Sequence, residues 1–230
     1  MKIGMIVAIR EEIDALIRTI GKPLGTDEDA GYTIFKYDIS GNTVYVAESG
    51  AGEIAASAPT QYLITKYGVS LIVNFGVCGG LTSEMSLSRT AVVTKAVHYD
   101  YDSSAWIPGL VRAQYPGFDD VYIPANEKMV ALALSVEPSL KPAIIASADK
   151  FVEDKDIKAG LNHDFGAEIC DMESAGILLT ANRNKVPALL FKGVSDSVGD
   201  NACTFAEMVH TSAEVCGKVM LKVISEANIG

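Results

Sequence analysis

Long apolar runs, paired cysteines and a basic surplus are all missing from this chain, and each absence argues against a class of function. No window is apolar for the ~20 residues that a membrane helix needs. The opening run, MKIGMIVAIREE, meets charge too soon to be a secretory leader. Cys78, Cys170, Cys203 and Cys216 stand apart with no C-x-x-C pair, which fits reduced thiols better than a disulfide frame. Lys and Arg total 19 against 29 Asp and Glu, a formal charge of −10. That balance argues against a nucleic-acid backbone or an anionic membrane as partner. Only His98, His163 and His210 are present, scattered without ligand spacing, so no metal site is expected. Repeats, low-complexity segments and Pro/Gly/Ser linkers are absent too. The expectation is a soluble, cytoplasmic protein whose partner is a small molecule.

What is present is a large apolar content, 49% of 230 residues, enough for one well-buried core. Ile3 to Ile9 is short and rich in Ile and Val, the pattern of a strand covered on both faces. Ile13, Leu16, Ile17 and Ile20 then recur at helical spacing up to Gly21. YTIFKYDI and NTVYVAES read as a hairpin turning at Ser40-Gly41. A helix over 53–67, a strand SLIVNFG ending in the turn GVCGGL, and a strand RTAVVTKAV follow. Residues 99–124 lack periodicity, as lids and interface loops do. Beyond them come a helix over 126–136, strands over 143–147 and 167–170, a helix from MESAGILLTANRN and a strand ALLFKGVS. The final segment carries Phe205, Met208, Val209, Ser212, Val215, Cys216, Val219, Met220 and Val223 on one stripe, an amphipathic helix. Alternating elements of this kind predict an α/β fold: a single domain, 1–230, with a mixed, mainly parallel sheet covered by helices on both faces.

Ligands of such sheets bind beyond the carboxyl ends of the strands. Glu11 and Glu12, Gly76 to Gly80, Phe151 and Val152, Met172 and Glu173, and Asp196 all follow strands, so they are expected to meet on one rim. Taken singly, Glu11, Glu12 and Glu173 read as acids at helix starts, stabilised by the dipole, and Asp196 as a turn cap. The GVCGG run has neither the Lys-Ser/Thr of a P-loop nor G-x-G-x-x-G spacing, and reads as a tight strand exit. Cys78 reads as a small buried thiol, and Glu153 to Asp156 as a solvated loop. Acids at three separate strand exits are harder to explain as independent caps, and carboxyls in distinct environments can divide acid and base roles within one site.

KIGMIVAIREEIDAL, NFGVCGGL, DMES and GVSDS, in this order and nearly end to end, resemble the purine nucleoside phosphorylase and nucleosidase superfamily. Within it the chain looks most like the methylthioadenosine/S-adenosylhomocysteine nucleosidases. That resemblance implies a nucleoside phosphorylase-like fold, no cofactor, a purine nucleoside as substrate and a homodimer. It makes Glu12 the base that activates water and Asp196 the acid that protonates purine N7. Glu173 would clasp the ribose diol, with Met172 packing on the sugar and Val77 beside it. Phe151, Phe205 and the backbone of Val152 would hold the base, and Trp106 would enter the neighbouring subunit's 5′ pocket.

Breaking the C–N bond builds positive charge on ribose and negative charge on the base, so an inverting hydrolysis needs one protonated and one ionised acid. Asp196 is therefore expected to sit above the free value of about 3.9, and Glu12 to stay ionised. The chain departs from the nucleosidase pattern at Val77, where a serine is usual, and at Lys192, where an arginine is usual. Lys192 keeps the charge without the planar fork of donors. No arginine stands in Asn74-Phe75-Gly76, where phosphorolytic relatives often carry one, which favours water over phosphate. The alternatives are a phosphorylase, a nucleosidase for another 5′-modified nucleoside, and a catalytically weak nucleoside-binding protein.

Overall fold

The computed structural model describes residues 1–198, 200 and 202–226, so the unit expected over 1–230 runs past the last described position. The first strand, β1 (Lys2–Val7), is buried along all but its first residue. It pairs in parallel with β4 (Asn42–Glu48) on one edge and β5 (Leu71–Gly80) on the other. From β4 the chain runs antiparallel to β3 (Tyr32–Ile39) through Ser40-Gly41, both at positive φ. An outer strand, β2 (Gly25–Asp29), edges β3.

On the other side of β5 the sheet closes. β10 (Ala188–Asp196) pairs in parallel with β5 and antiparallel with β6 (Thr90–His98). β6 lies parallel to β8 (Lys141–Ser147), β8 parallel to β9 (Ile169–Asp171), and β9 returns antiparallel to β5. These five strands form a ring, from which β1, β4, β3 and β2 continue as an arm. A short β7 (Tyr122–Pro124) lies on β6. Closure brings strand ends far apart in sequence around one rim.

Helices cover this mixed sheet in two groups. α6 (Ala202–Glu226) packs on β5 and β10, with α1 (Arg10–Ile20) and α3 (Glu127–Val136) against it. α2 (Glu53–Tyr62) packs on α5 (Ser174–Asn184), which also meets β6, β7, β8 and β10. Among the described residues no helix is long and apolar enough to cross a membrane.

Three elements differ from the sequence reading. GVCGG is not a turn: β5 continues through it to Gly80, and its three glycines stand where neighbouring groups come too close for a Cβ. Glu153 to Asp156 is solvated as expected, but it is loop only as far as Asp154, and Lys155 and Asp156 begin α4 (Lys155–Phe165). Asp154 caps it, accepting from the Asp156 and Ile157 N–H groups. The acidic strand β2 was not expected at all. The helix over 53–67 forms, with its last five residues widened into a π-turn, Leu63–Tyr67.

Candidate active site

A cavity of about 160 Å3 lies where the ends of β1, β9 and β10 meet the second half of β5. Its wall includes Glu12, Val77, Phe151, Met172, Glu173, Asp196 and Phe205. Val152 lines a small annex of about 30 Å3 shared with Phe151 and Asp196. Larger grooves of about 590 and 450 Å3 lie elsewhere and contain none of the expected residues. Trp106, 75% exposed, stays outside its own chain's cavity.

Glu12 stands on the first turn of α1 and does two things at once. Its Oε2 accepts from the N–H groups of Ala8 (2.9 Å) and Ile9 (3.2 Å), the helix-capping role. Its Oε1 reaches across to β5 and accepts from the Val77 N–H at 2.8 Å. The Val77 backbone thus holds this carboxylate without any need of a hydroxyl side chain. Gly76 makes the approach possible, since a Cβ there would stand 2.5 Å from Glu12 Oε1. Burial raises the Glu12 pKa, opposed by the charge of Lys192 and by these amides. Its proton affinity is therefore higher than the sequence reading assumed.

The two acids of DMES part company. Asp171 ends β9 and accepts from both the N–H and the hydroxyl of Ser174, capping α5. It also pairs with the buried Lys192 ammonium at 2.7 Å. Although burial opposes it, that contact holds the Asp171 carboxyl below its usual range. Glu173 makes no cap bond of its own. Its Oε1 accepts from the Gly52 N–H at 3.2 Å. Burial, and then the Asp171 charge, push Glu173 up to about 7.

Asp196 closes β10, buried, with its Oδ2 at 2.7 Å from the wholly buried Lys158 ammonium of α4. Burial raises its pKa and Lys158 opposes the rise. A further buried carboxyl, Glu53 at the start of α2, shares the Ser147 hydroxyl with Asp171. Burial lifts Glu53 to about 8. Glu12, Glu53, Asp171, Glu173 and Asp196 are thus five buried carboxyls facing two buried lysines, Lys158 and Lys192. With two cations among five carboxyls, and with Glu53 at about 8 and Glu173 at about 7, the cluster holds protons near neutrality. An interior that stores protons beside a cavity can run acid–base chemistry.

The sequence profile of the Phosphorylase superfamily matches residues 2–227. The chain belongs to the phosphorylase superfamily. It is 30% identical to an aminodeoxyfutalosine nucleosidase of Campylobacter jejuni, across 97% of this chain and 98% of that one. A 5′-methylthioadenosine/S-adenosylhomocysteine nucleosidase of Exiguobacterium is 28% identical, over 97% of each chain. Among solved structures, the native futalosine hydrolase of Helicobacter pylori superposes with a TM-score of 0.91 at 26% identity, covering 98% of this chain and 97% of that one.

Some groups that this superfamily member brings to its site escaped the sequence reading. Lys158 and Glu53 carry no mark of burial in their local sequence, and Asp171 was not separated from Glu173. Lys192 was noticed only as a replaced arginine. The aromatic wall was legible: Phe151 and Phe205 meet edge to face, with ring centroids 5.4 Å apart. Cys78 is buried, and burial pushes its thiol pKa well up, the state of an inert core thiol.

Proposed function

We propose that the protein hydrolyses the N-glycosidic bond of a 5′-modified adenine nucleoside, with water as nucleophile. The observation that carries this reading is the convergence of Glu12, Glu173 and Asp196, from three separate strand ends, on one cavity. Glu12 takes a proton from water as its oxygen attacks C1′. The electron pair of the C1′–N9 bond passes to the purine, and Asp196 gives a proton to N7. Raised proton affinities suit both tasks, since a base gains strength and an acid keeps its proton to higher pH. Glu173 accepts from the ribose 2′ and 3′ hydroxyls, two donors that favour its ionised form. Phe151 and Phe205, packed edge to face, form the aromatic wall beside the base, with the Val152 backbone, and Met172 and Val77 close on the sugar.

Water fits this cavity better than phosphate, because neither lysine nor arginine is among the described residues lining it. Relatives named for methylthioadenosine/S-adenosylhomocysteine and for aminodeoxyfutalosine resemble the chain about equally, so both 5′ groups belong in the test. The purified protein is expected to release adenine from one or both nucleosides in phosphate-free buffer. Release that begins only when phosphate is added would replace this reading with phosphorolysis.

A homodimer completes the proposal. Trp106 (75%), Ile54 (81%) and Val111 (55%) leave large apolar side chains in solvent, and a second copy would cover them while placing Trp106 by the neighbouring 5′ pocket. Sedimentation equilibrium should give twice the chain mass. A monomer at all concentrations would remove the second copy from the mechanism.

A further inference from the structure

Asp196 is clasped unequally on its two oxygens. Lys158 Nζ donates to Oδ2 at 2.7 Å and to the Ser197 carbonyl at 2.9 Å. An ammonium only donates, so Oδ2 is committed to accepting and offers no seat for a proton directed that way. The other oxygen, Oδ1, lies 3.2 Å from Ser195 Oγ, which lies 3.2 Å from the Cys78 carbonyl as well. A carbonyl only accepts, so the single Ser195 hydrogen can go to Cys78. The lone pairs of Oγ then remain for a hydrogen on Oδ1. Ser195 and Asp196 both line the cavity, whereas Lys158 stands behind its wall.

We propose that Lys158 is a positioning residue: by occupying Oδ2 it confines the acid proton of Asp196 to Oδ1, the oxygen beside the departing base. The inference rests on the nucleosidase reading given above. As the C1′–N9 electrons move onto the purine, the Oδ1 proton passes to N7, and the carboxylate that remains already has its countercharge at Oδ2. The same contact governs the pH at which the acid is lost. The groups facing Asp196 are Lys158 from α4, Cys170 from β9, Cys78 from β5 and Asp200 beyond β10. Of these, Lys158 alone supplies positive charge.

Removing that charge should make Asp196 hold its proton more tightly. Activity needs the protonated acid, so the alkaline limb of the kcat profile falls where Asp196 ionises. In Lys158→Met this limb should move to higher pH by about 1 unit or more, the usual effect of a neighbouring charge on a carboxyl. Lys158→Arg, which keeps charge and donors, should leave the limb where the wild type has it. If the methionine variant does not fold, Lys158→Gln carries the same test, being neutral and still able to donate to Ser197. A limb that stays put in the neutral variants, with kcat merely lower at every pH, would overturn the proposal while leaving the nucleosidase reading intact. A wild type that releases no adenine would overturn both.

Discussion

Asp196→Asn lowers kcat by at least about a hundredfold, the scale on which a positioned general acid contributes, and abolishes the alkaline limb. Asparagine keeps the shape and can still hydrogen-bond to a purine, so KM should change far less than kcat. It has no proton to give as the C–N bond opens, and the leaving base must depart as an anion or wait for solvent. The substitution has a second consequence. Lys158 loses its ion-pair partner, and breaking a buried pair from one side costs about 3–5 kcal/mol. Stability should therefore fall with turnover, and the rate must be read against the folded fraction, by circular dichroism at the assay temperature. A near-normal rate per folded molecule would mean that the proton reaches N7 from elsewhere.

The double role of Glu12 explains why acids at strand exits are hard to read singly. Its Oε2 caps α1 while its Oε1 reaches β5, so the ordinary and the chemical reading are both correct. In DMES the roles divide instead: both acids reach the cavity wall, but Asp171 is held by capping α5 and pairing with Lys192, while Glu173 makes no cap bond and, among the described residues, no ion pair. Local sequence cannot make that division, because it depends on Lys192 arriving from β10, a strand that joins the ring only after folding.

Much of the fold was legible because burial on both faces writes continuous apolar strands, as in β1 and β10. The failures have physical reasons too. Glycine in GVCGG signals a turn by propensity, yet here it serves close packing: a Cβ on Gly80 would meet the Met85 carbonyl, and one on Gly79 would stand 3.0 Å from Cys170 Sγ. α4 was hidden behind its charged first turn, although Ile157, Leu161 and Phe165 recur every four residues and Gly166 ends it in the left-handed region. Lys158 was invisible for a stronger reason. A lysine on an otherwise mixed helix belongs in solvent by default, and only Asp196, 38 positions further along, gives it cause to be buried.

Lys192→Met should be the most destabilising single change at the site, by about 3–5 kcal/mol, or roughly 6–20 °C in Tm for a chain of this size. Lys192 and Asp171 meet at 2.7 Å with almost no exposure, and each favours the charged form of the other. The Lys192 pKa is raised by Asp171 and then Glu173, against burial. Its contribution is present below the unfolded value of about 10.4 and is lost only as pH climbs through the higher folded one. The Asp171 pKa is depressed, so its share is present above about 3.9 and is lost as pH falls through the folded value. The wild-type pair therefore stabilises throughout the range between. Without Lys192, only the Ser147 and Ser174 hydrogen bonds oppose burial at Asp171; burial, the largest influence, should then raise its pKa above the unfolded one, so stability should fall as pH rises from about 4. The gap in Tm between Lys192→Met and wild type should accordingly be wider at pH 8 than at pH 5, and Asp171→Asn on the methionine background should narrow it. Glu173 and Glu12, which also feel the Lys192 charge, should hold their protons more tightly, weakening both diol binding and water activation at neutral pH. A gap that does not vary with pH would show that Lys192 contributes through packing, and not as the countercharge that keeps Asp171 ionised.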